Sequence, residues 1–311
     1  MAAVAIIMPV LNGERYLPDA IASVQRQTFT DWELLVVDDG STDGSRDIAE
    51  RAAAADSRIV VVPPSPEHKG AGAARNRGLA AATAEFIAFL DADDLYHEDK
   101  LAFEVAILER YPTAAMTYGP TFWWFEDAPE QSWTESLRGF AGRLHAPPDL
   151  LRRVILNQES QVPCTCAVLI RRAALDVVGG FWESVSLYED QSIWVKIMNR
   201  YPVYVHDRVL CTYRQHPYSA SAHAQAQGEY DRMAPHPARI DFLEWIESEA
   251  GIARSAPLQQ SLRIAFASYP AHRRPLTVGD RLVMLKRETV ARAKRLPGRL
   301  VRRLRLATRK A

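Results

Sequence analysis

Glu85-Phe-Ile-Ala-Phe-Leu-Asp-Ala-Asp-Asp94 decides the fold of this chain. Residues 86–90 are apolar without alternation, the pattern of a strand covered on both faces, and the run stops abruptly in carboxylates. Working toward the N-terminus, the same kind of run recurs at Val4–Val10, interrupted by Pro9, at Trp32–Val37 and at Ile59–Val62. Between the runs, apolar residues take helical spacing: Leu17, Ala20, Ile21 and Val24, then Ile48, Ala49 and Ala52, then the Ala-rich stretch Gly70–Ala82. Beyond Asp94, Leu101, Val105 and Leu108 predict a helix, and Ala114–Tyr118 a further strand. Strand–helix alternation of this kind predicts an α/β fold with a mostly parallel sheet flanked by helices. The stretch 119–163 breaks the alternation with aromatic residues and prolines. A strand (Ala167–Ile170), a helix (Arg172–Val178) and a helix carrying Ile193, Trp194 and Ile197 then resume it. Residues 217–240 read as a mobile linker and the remainder as helical.

The chain has 311 residues, 48% of them hydrophobic, enough for one sizeable core and an accessory segment. Its net charge of zero hides an uneven distribution. Residues 281–311 hold twelve Lys/Arg against the single acid Glu288, a net +11, so the rest of the chain carries −11. Three cysteines, at 164, 166 and 211, give no disulfide framework and suit a reducing compartment. The opening MAAVAIIMPVLNG lacks a basic leader and reads as a first buried strand. No stretch approaches the about 20 apolar residues that span a bilayer. The expected location is cytoplasmic, or peripheral on the inner face of the cytoplasmic membrane.

Ligands of such sheets bind outside the carboxyl ends of the strands. Here those ends carry Asn12 and Glu14, then Asp38 and Asp39, then Asp91, Asp93 and Asp94. Asp91 and Asp93 alternate on extended chain, so both can face one site, and hard oxygen ligands suit Mg²⁺ or Mn²⁺. An ion held there would neutralise a leaving diphosphate. Asp39 can accept from a ribose or a base, while Ser41, Thr42 and Asp43 make the turn. In Tyr213-Arg-Gln-His-Pro-Tyr-Ser219, Arg214 is a candidate diphosphate clamp and His216 a candidate third metal ligand. Asp190, beside Glu189 at the start of a helix, is the candidate general base. Gly70-Ala-Gly72-Ala-Ala-Arg75 falls one residue short of a dinucleotide fingerprint and does not follow the first strand. It reads as a helix start near the nucleotide, with Arg75 facing a phosphate or packing against Asp91. Trp123, Trp124 and Trp133 are candidates to stack on acceptor sugars, against the competing fate of buried packing.

Six pieces, in order, resemble the family 2 glycosyltransferases of the GT-A fold: Ile7-Met-Pro-Val-Leu-Asn-Gly-Glu14, Leu35-Val-Val-Asp-Asp-Gly-Ser-Thr-Asp43, Gly72-Ala-Ala-Arg-Asn-Arg-Gly78, Phe89-Leu-Asp-Ala-Asp-Asp94, Gly179-Gly-Phe181 and Glu189-Asp190. The resemblance implies a Rossmann-like GT-A catalytic domain over 1–216, with a nucleotide-binding half to about 110 and an acceptor half over 111–216. A linker would follow over 217–240, then a helical C-terminal extension over 241–311. It implies that Pro9, Val10 and Glu14 line the nucleotide, with Asp39 at the base. Asp91 and Asp93 would serve ribose, diphosphate and a divalent metal, Asp93 more directly. Asp190 would be the base of an inverting transfer of one sugar from a nucleotide diphosphate donor, UDP being the family's commonest, to a hydroxyl of a glycan or lipid-linked acceptor. Two features are individual: Gln191-Ser192-Ile193 where an aromatic often follows the Glu-Asp pair, and the insert 119–163. No Gln-x-x-Arg-Trp signature of processive synthases is present, so single-sugar transfer is expected.

The alternatives are a nucleotidyltransferase, which would want a Gly-rich basic loop where residues 8–18 have Pro-Val-Leu-Asn-Gly-Glu, and a degenerate nucleotide- or glycan-binding module, against which Asp91, Asp93 and Asp190 stand. In the basic tail 281–311, Leu282, Leu285, Thr289, Ala293, Leu296, Leu300 and Leu304 recur at steps of three or four, interrupted at Pro297-Gly298. That is a basic amphipathic stripe suited to an anionic membrane surface, each Lys/Arg contributing about 1 kcal/mol there. Nucleic acid is not expected, since no aromatics interleave with the charges.

Overall fold

The computed structural model describes residues 2–295 except 66, 68, 186, 232–234 and 250–254, with side chains of the last helix to 286. The chain forms two compact units, Met1–Phe242 and Leu243–Ala311. In the first, β1 (Val4–Val10), α1 (Leu17–Gln25), β2 (Trp32–Asp38), α2 (Ser45–Ala55), β3 (Ile59–Val62), α3 (Ala71–Ala81) and β4 (Phe86–Phe89) alternate as the hydrophobic pattern requires. A two-residue β5 (Leu95–Tyr96), α4 (Lys100–Arg110) and β6 (Met116–Tyr118) come next. Then follow β7 (Phe122–Phe125), β8 (Trp133–Thr134), β9 (Arg143–His145), β10 (Val168–Arg171), α5 (Arg172–Val178), α6 (Glu189–Arg200), β11 (Val203–Val205) and β12 (Cys211–Gln215).

The main sheet has the order β3-β2-β1-β4-β10-β6-β11-β9. Its first four strands are parallel, and β10 inserts antiparallel between β4 and β6. The alternating pattern could not show that reversal. Arg171 fixes it: its backbone N–H donates to Ala115, and its guanidinium donates to the carbonyls of Ala114 and Leu108 and to Glu85. A smaller sheet, β5-β12-β7-β8, takes in two strands of the aromatic insert, and its β12 meets the turn after β4 where the Arg214 N–H donates to Asp94. Cys166 and Cys211 are buried, Cys164 is half-buried, and all three are unbridged.

The core explains the runs. Val4 through Met8 are fully buried, as are Leu34, Val36 and Val37, because helices cover both faces of these strands. On one face α3 comes so close that a Cβ on Gly78 would collide with Ile7 and lie 3.2 Å from Val37 Cγ2. Gly72 and Gly180 are similarly confined, by the Trp182 carbonyl and by Asn76.

Within 217–240, read from sequence as a linker, α7 (Ala220–Ala226) is helical, started by Ser219, whose Oγ accepts from the Ala222 N–H at 3.2 Å. α8 (Pro237–Ser248) begins before the linker's expected end. The second unit contains α9 (Ala256–Phe266) and α10 (Val278–Arg295). Thr277 and Asp280 cap α10 reciprocally, and Asp280 pairs with Arg263 of α9 at 2.8 and 3.1 Å. The Pro297-Gly298 interruption and the tail from 296 lie outside the described residues. No described helix is long and apolar enough to cross a membrane.

Ala in place of Gly ordinarily steadies a helix by about 1 kcal/mol. At Gly78 the sign should reverse, since overpacking against the sheet costs about 1–3 kcal/mol. Thermal denaturation of Gly78→Ala should show a Tm several degrees lower; an unchanged or higher Tm would refute the close packing.

Candidate active site

The first two strand exits are laced to each other. Asn12 sits at φ 53°, donates its N–H to Ser41 Oγ at 3.0 Å and accepts the Thr42 N–H at 2.8 Å. Gly13 N–H donates to Ser45 Oγ, Glu14 N–H to Asp43, and Gly44 N–H to Glu14 Oε2 at 2.7 Å. Glu14 therefore ties the two loops together while staying exposed, above half-buried Pro9 and buried Val10. Asp39, 9% exposed, receives the Gly70 N–H at 2.7 Å on one oxygen and Arg77 at 2.9 Å on the other. Each oxygen retains a lone pair for a ligand.

Arg75 joins distant parts of the chain. Its side chain is 3% exposed and donates to Asp91 at 2.6 Å and to Glu189 at 2.8 Å. Burial alone would make it easier to deprotonate, but Asp91 and Glu189 outweigh burial and hold its pKa above the ordinary value. Burial raises the Asp91 pKa; Arg75 opposes that and Asp93 adds to it. Asp190 opens α6 next to Glu189. Burial, reinforced by Glu189 and opposed by Arg75, pushes its carboxyl up to about 7. A carboxylate near 7 is poised to take and release a proton at neutral pH.

The Asp91–Asp94 turn is clamped from above by β12. Asp94, 1% exposed, accepts the Arg214 N–H at 3.0 Å, and burial holds its carboxyl well above the carboxylate range, with Asp93 and Asp91 adding to the effect. Arg214 is buried too. It donates to the Asp93 carbonyl, Glu126 and Asp19, and lies over Tyr16 and Trp124. These bonds tie β12 to the turn after β4, to the residue after β7 and to α1, with its three guanidinium nitrogens each engaged. His216 Nε2 lies 2.9 Å from Asp93 Oδ2; the ring is 5% exposed and packs on Tyr16, and Nδ1 has no hydrogen-bond partner.

The structure thus gathers Asp91, Arg75, Glu189 and Asp190 into one cluster and pairs Asp93 with His216. Trp123 and Trp133 stack on each other at 5.3 Å in the small sheet, and Trp123 Nε1 donates to Glu135 at 2.9 Å. Among the described residues, no three His, Cys, Asp or Glu side chains converge as a complete metal cage. Asp93 and His216 fit a different kind of site, in which one or two protein groups share the ion with substrate phosphates.

Sequence reasoning missed several contributors. Asp94 stands beside Asp91 and Asp93 at the strand exit, but nothing local shows that it is buried under the Arg214 backbone. Arg77 on Asp39 and Asn76, which exchanges hydrogen bonds with the Phe181 backbone at 2.7 and 3.0 Å, sit in the quoted Arg-Asn-Arg-Gly run without any local signal of partners.

The mixed sheet carries acidic groups on the carboxyl rim of its parallel half, and comparison with solved structures identifies this architecture as a GT-A fold. Comparison with known proteins agrees. The model of the family "Glycosyl transferase family 2" matches residues 5–179, more than half of the chain. TuaG of Bacillus subtilis, whose name refers to teichuronic acid biosynthesis, is 44% identical over 98 residues, covering 32% of this chain and 38% of TuaG. WfgD of Escherichia coli, named as a UDP-Glc:alpha-D-GlcNAc-diphosphoundecaprenol beta-1,3-glucosyltransferase, is 42% identical over 106 residues, covering 34% and 40%. The matches to these curated relatives span less than half of their lengths. Among solved structures, residues 1–349 of Staphylococcus aureus TarS with UDP-GlcNAc superpose with a TM-score of 0.65 at 22% identity, over 87% of this chain and 73% of that one. The Pyrobaculum calidifontis mannosyltransferase PcManGT with GDP-Man and Mn²⁺ gives 0.54 at 18%, over 93% and 80%. The chain belongs to glycosyltransferase family 2.

Arg75→Met should leave the half-buried Asp91 and Glu189 without their cation and cost about 1–3 kcal/mol at neutral pH. Protonation neutralises stranded carboxylates, so the Tm gap to the parent should narrow as pH falls toward 4. A gap that is small or independent of pH would show that the cluster is not held by charge.

Proposed function

We propose that this chain is an inverting glycosyltransferase that moves one sugar from a nucleotide diphosphate donor to an acceptor hydroxyl. The observation that carries the reading is the carboxylate cluster: Arg75 ties Glu189, the neighbour of Asp190, to Asp91 at the strand exit that also bears Asp93, and burial there pushes the Asp190 carboxyl up to about 7. Asp190 takes the proton of the acceptor hydroxyl as its oxygen attacks the anomeric carbon. The bond to the diphosphate breaks on the opposite face, its electron pair leaves with the nucleoside diphosphate, and the centre inverts. No enzyme nucleophile is required. Pro9, Val10, Glu14 and Asp39 line the nucleotide, and Asp91 faces its ribose and diphosphate. Asp93 and His216 would hold a divalent ion, Mn²⁺ or Mg²⁺, which would supply positive charge against the departing diphosphate. UDP is the favoured donor nucleotide: UDP-Glc stands in the name of WfgD and UDP-GlcNAc in the TarS complex, while PcManGT with GDP-Man keeps a GDP donor as the competing outcome. The diphosphoundecaprenol in the WfgD name supports a lipid-linked glycan acceptor and a role in envelope polysaccharide synthesis.

Thermal shift with UDP, GDP, UDP-GlcNAc, UDP-Glc and GDP-Man, each with and without Mn²⁺, tests the donor side. Stabilisation by one nucleotide with Mn²⁺ should vanish in Asp93→Ala, and equal shifts in the variant would remove Asp93 as a ligand. For the chemistry, release of nucleotide from the selected donor should fall about tenfold per pH unit below 7, because only ionised Asp190 is a base. Asp190→Asn should keep the donor shift and lose turnover; retained turnover would refute the base.

The second unit supports a location. On α10, Val278, Leu282 and Leu285 are 76%, 62% and 61% exposed, beside exposed Arg281 and Lys286, and the sequence continues the basic stripe beyond them. We infer that this face lies on anionic lipid, where a lipid-linked acceptor resides. Deleting 281–311 should abolish sedimentation with phosphatidylglycerol vesicles while leaving the nucleotide shift intact; unchanged sedimentation would remove the anchor.

A further inference from the structure

Asp190 receives a hydrogen bond from the backbone N–H of its neighbour Gln191 at 2.7 Å. Among the described residues no side chain distant in sequence hydrogen-bonds to it, so its aim depends on the backbone that starts α6. That start is unusual. Tyr188, at the N-cap of α6, has φ 68° and ψ 8°, a left-handed conformation that bulky side chains rarely adopt. The other two described non-glycine residues with positive φ are Asn12, a residue type suited to it, and Gln158. A strained tyrosine two residues before the candidate base persists only where its surroundings over-determine it.

Those surroundings come from 236–242, within the same compact unit and read from sequence mainly as linker. The Tyr188 ring lies nearly parallel to Phe242 at 4.8 Å and to His236 at 6.0 Å. Its hydroxyl is 2.8 Å from His236 Nε2. Arg239 lies 5.7 Å from the ring centroid and donates to the Ile155 carbonyl, fastening the segment to the body. The Tyr188 carbonyl in turn accepts the Ser192 N–H at 3.1 Å as a first bond of α6.

We propose that Tyr188 is a positioning residue: clamped by His236, Arg239 and Phe242, it holds the left-handed turn that aims Asp190 at the acceptor hydroxyl. Residues 236–242 thereby complete the site, of which Tyr188 and Asp190 also lie beyond the stretch 5–179 that the family model matches. The proposal rests on Asp190 being the base.

The test uses the full chain, with UDP-induced thermal shift for binding and nucleotide release from the donor selected above for turnover. Tyr188→Phe keeps the ring sandwich and should stay within threefold of the parent. Tyr188→Ala should lower kcat at least about tenfold with donor KM and the UDP shift unchanged. Tyr188→Gly, which tolerates the left-handed backbone but has no ring, should lose turnover as the alanine variant does. His236→Ala should show a smaller loss of the same kind. Parent-like turnover in the alanine or glycine variant would overturn the clamp, and so would parallel loss of the UDP shift, which would mark the ring as general support. A fully active Asp190→Asn removes the base assignment itself, whereas an inactive Asp190→Asn with a parent-like Tyr188→Ala removes the clamp alone.

Discussion

A guanidinium taken out of water has to be matched, and Arg75 is matched by two carboxylates brought from opposite directions. Asp91 lies 16 residues away at a strand exit and Glu189 lies 114 residues away at the head of a helix. Without the cation, burial would set Asp91, Glu189 and Asp190 against one another. With it, they can share one edge of the sheet. The cost of desolvating Arg75 makes the arrangement discriminating, since only a fold that delivers both partners tolerates it. The close approach of α3, permitted by Gly72 and Gly78, is what carries Arg75 to that position.

The same economy governs the turn after β4. Asp91, Asp93 and Asp94 crowd three acids into four residues, and each has a different fate. Asp91 takes Arg75, Asp93 faces His216, and Asp94 is buried under the Arg214 backbone. Arg214, the candidate phosphate clamp of the sequence, bonds the Asp93 carbonyl, Glu126 and Asp19 in the structure. Its backbone N–H and Nε both bond to the turn after β4, which braces that turn.

Peripheral elements then adapt a widely used sheet to this chain. The aromatic insert builds the small sheet with β12, and the segment at 236–242 reaches back to Tyr188. Both additions press on turns that carry site residues rather than on the centre of the sheet. In an α/β fold the sheet interior is fixed by packing, and specificity is left to the loops and to what braces them.

The nearly continuous apolar runs, the helical spacing between them and the carboxylates at strand exits were legible in the sequence because each is written within a few adjacent residues. They gave the α/β class, the first four strands, and the candidates Asp39, Asp91, Asp93 and Asp190. The reversal of β10, the pairing of Arg75 with Glu189, the internal use of Arg214 and the helical part of the expected linker were decided only by tertiary structure. Each depends on partners brought together by chain closure, or on packing that a short window of sequence does not contain. Periodicity records which face of an element is apolar; it does not record which buried charge will find which counter-charge across a hundred residues.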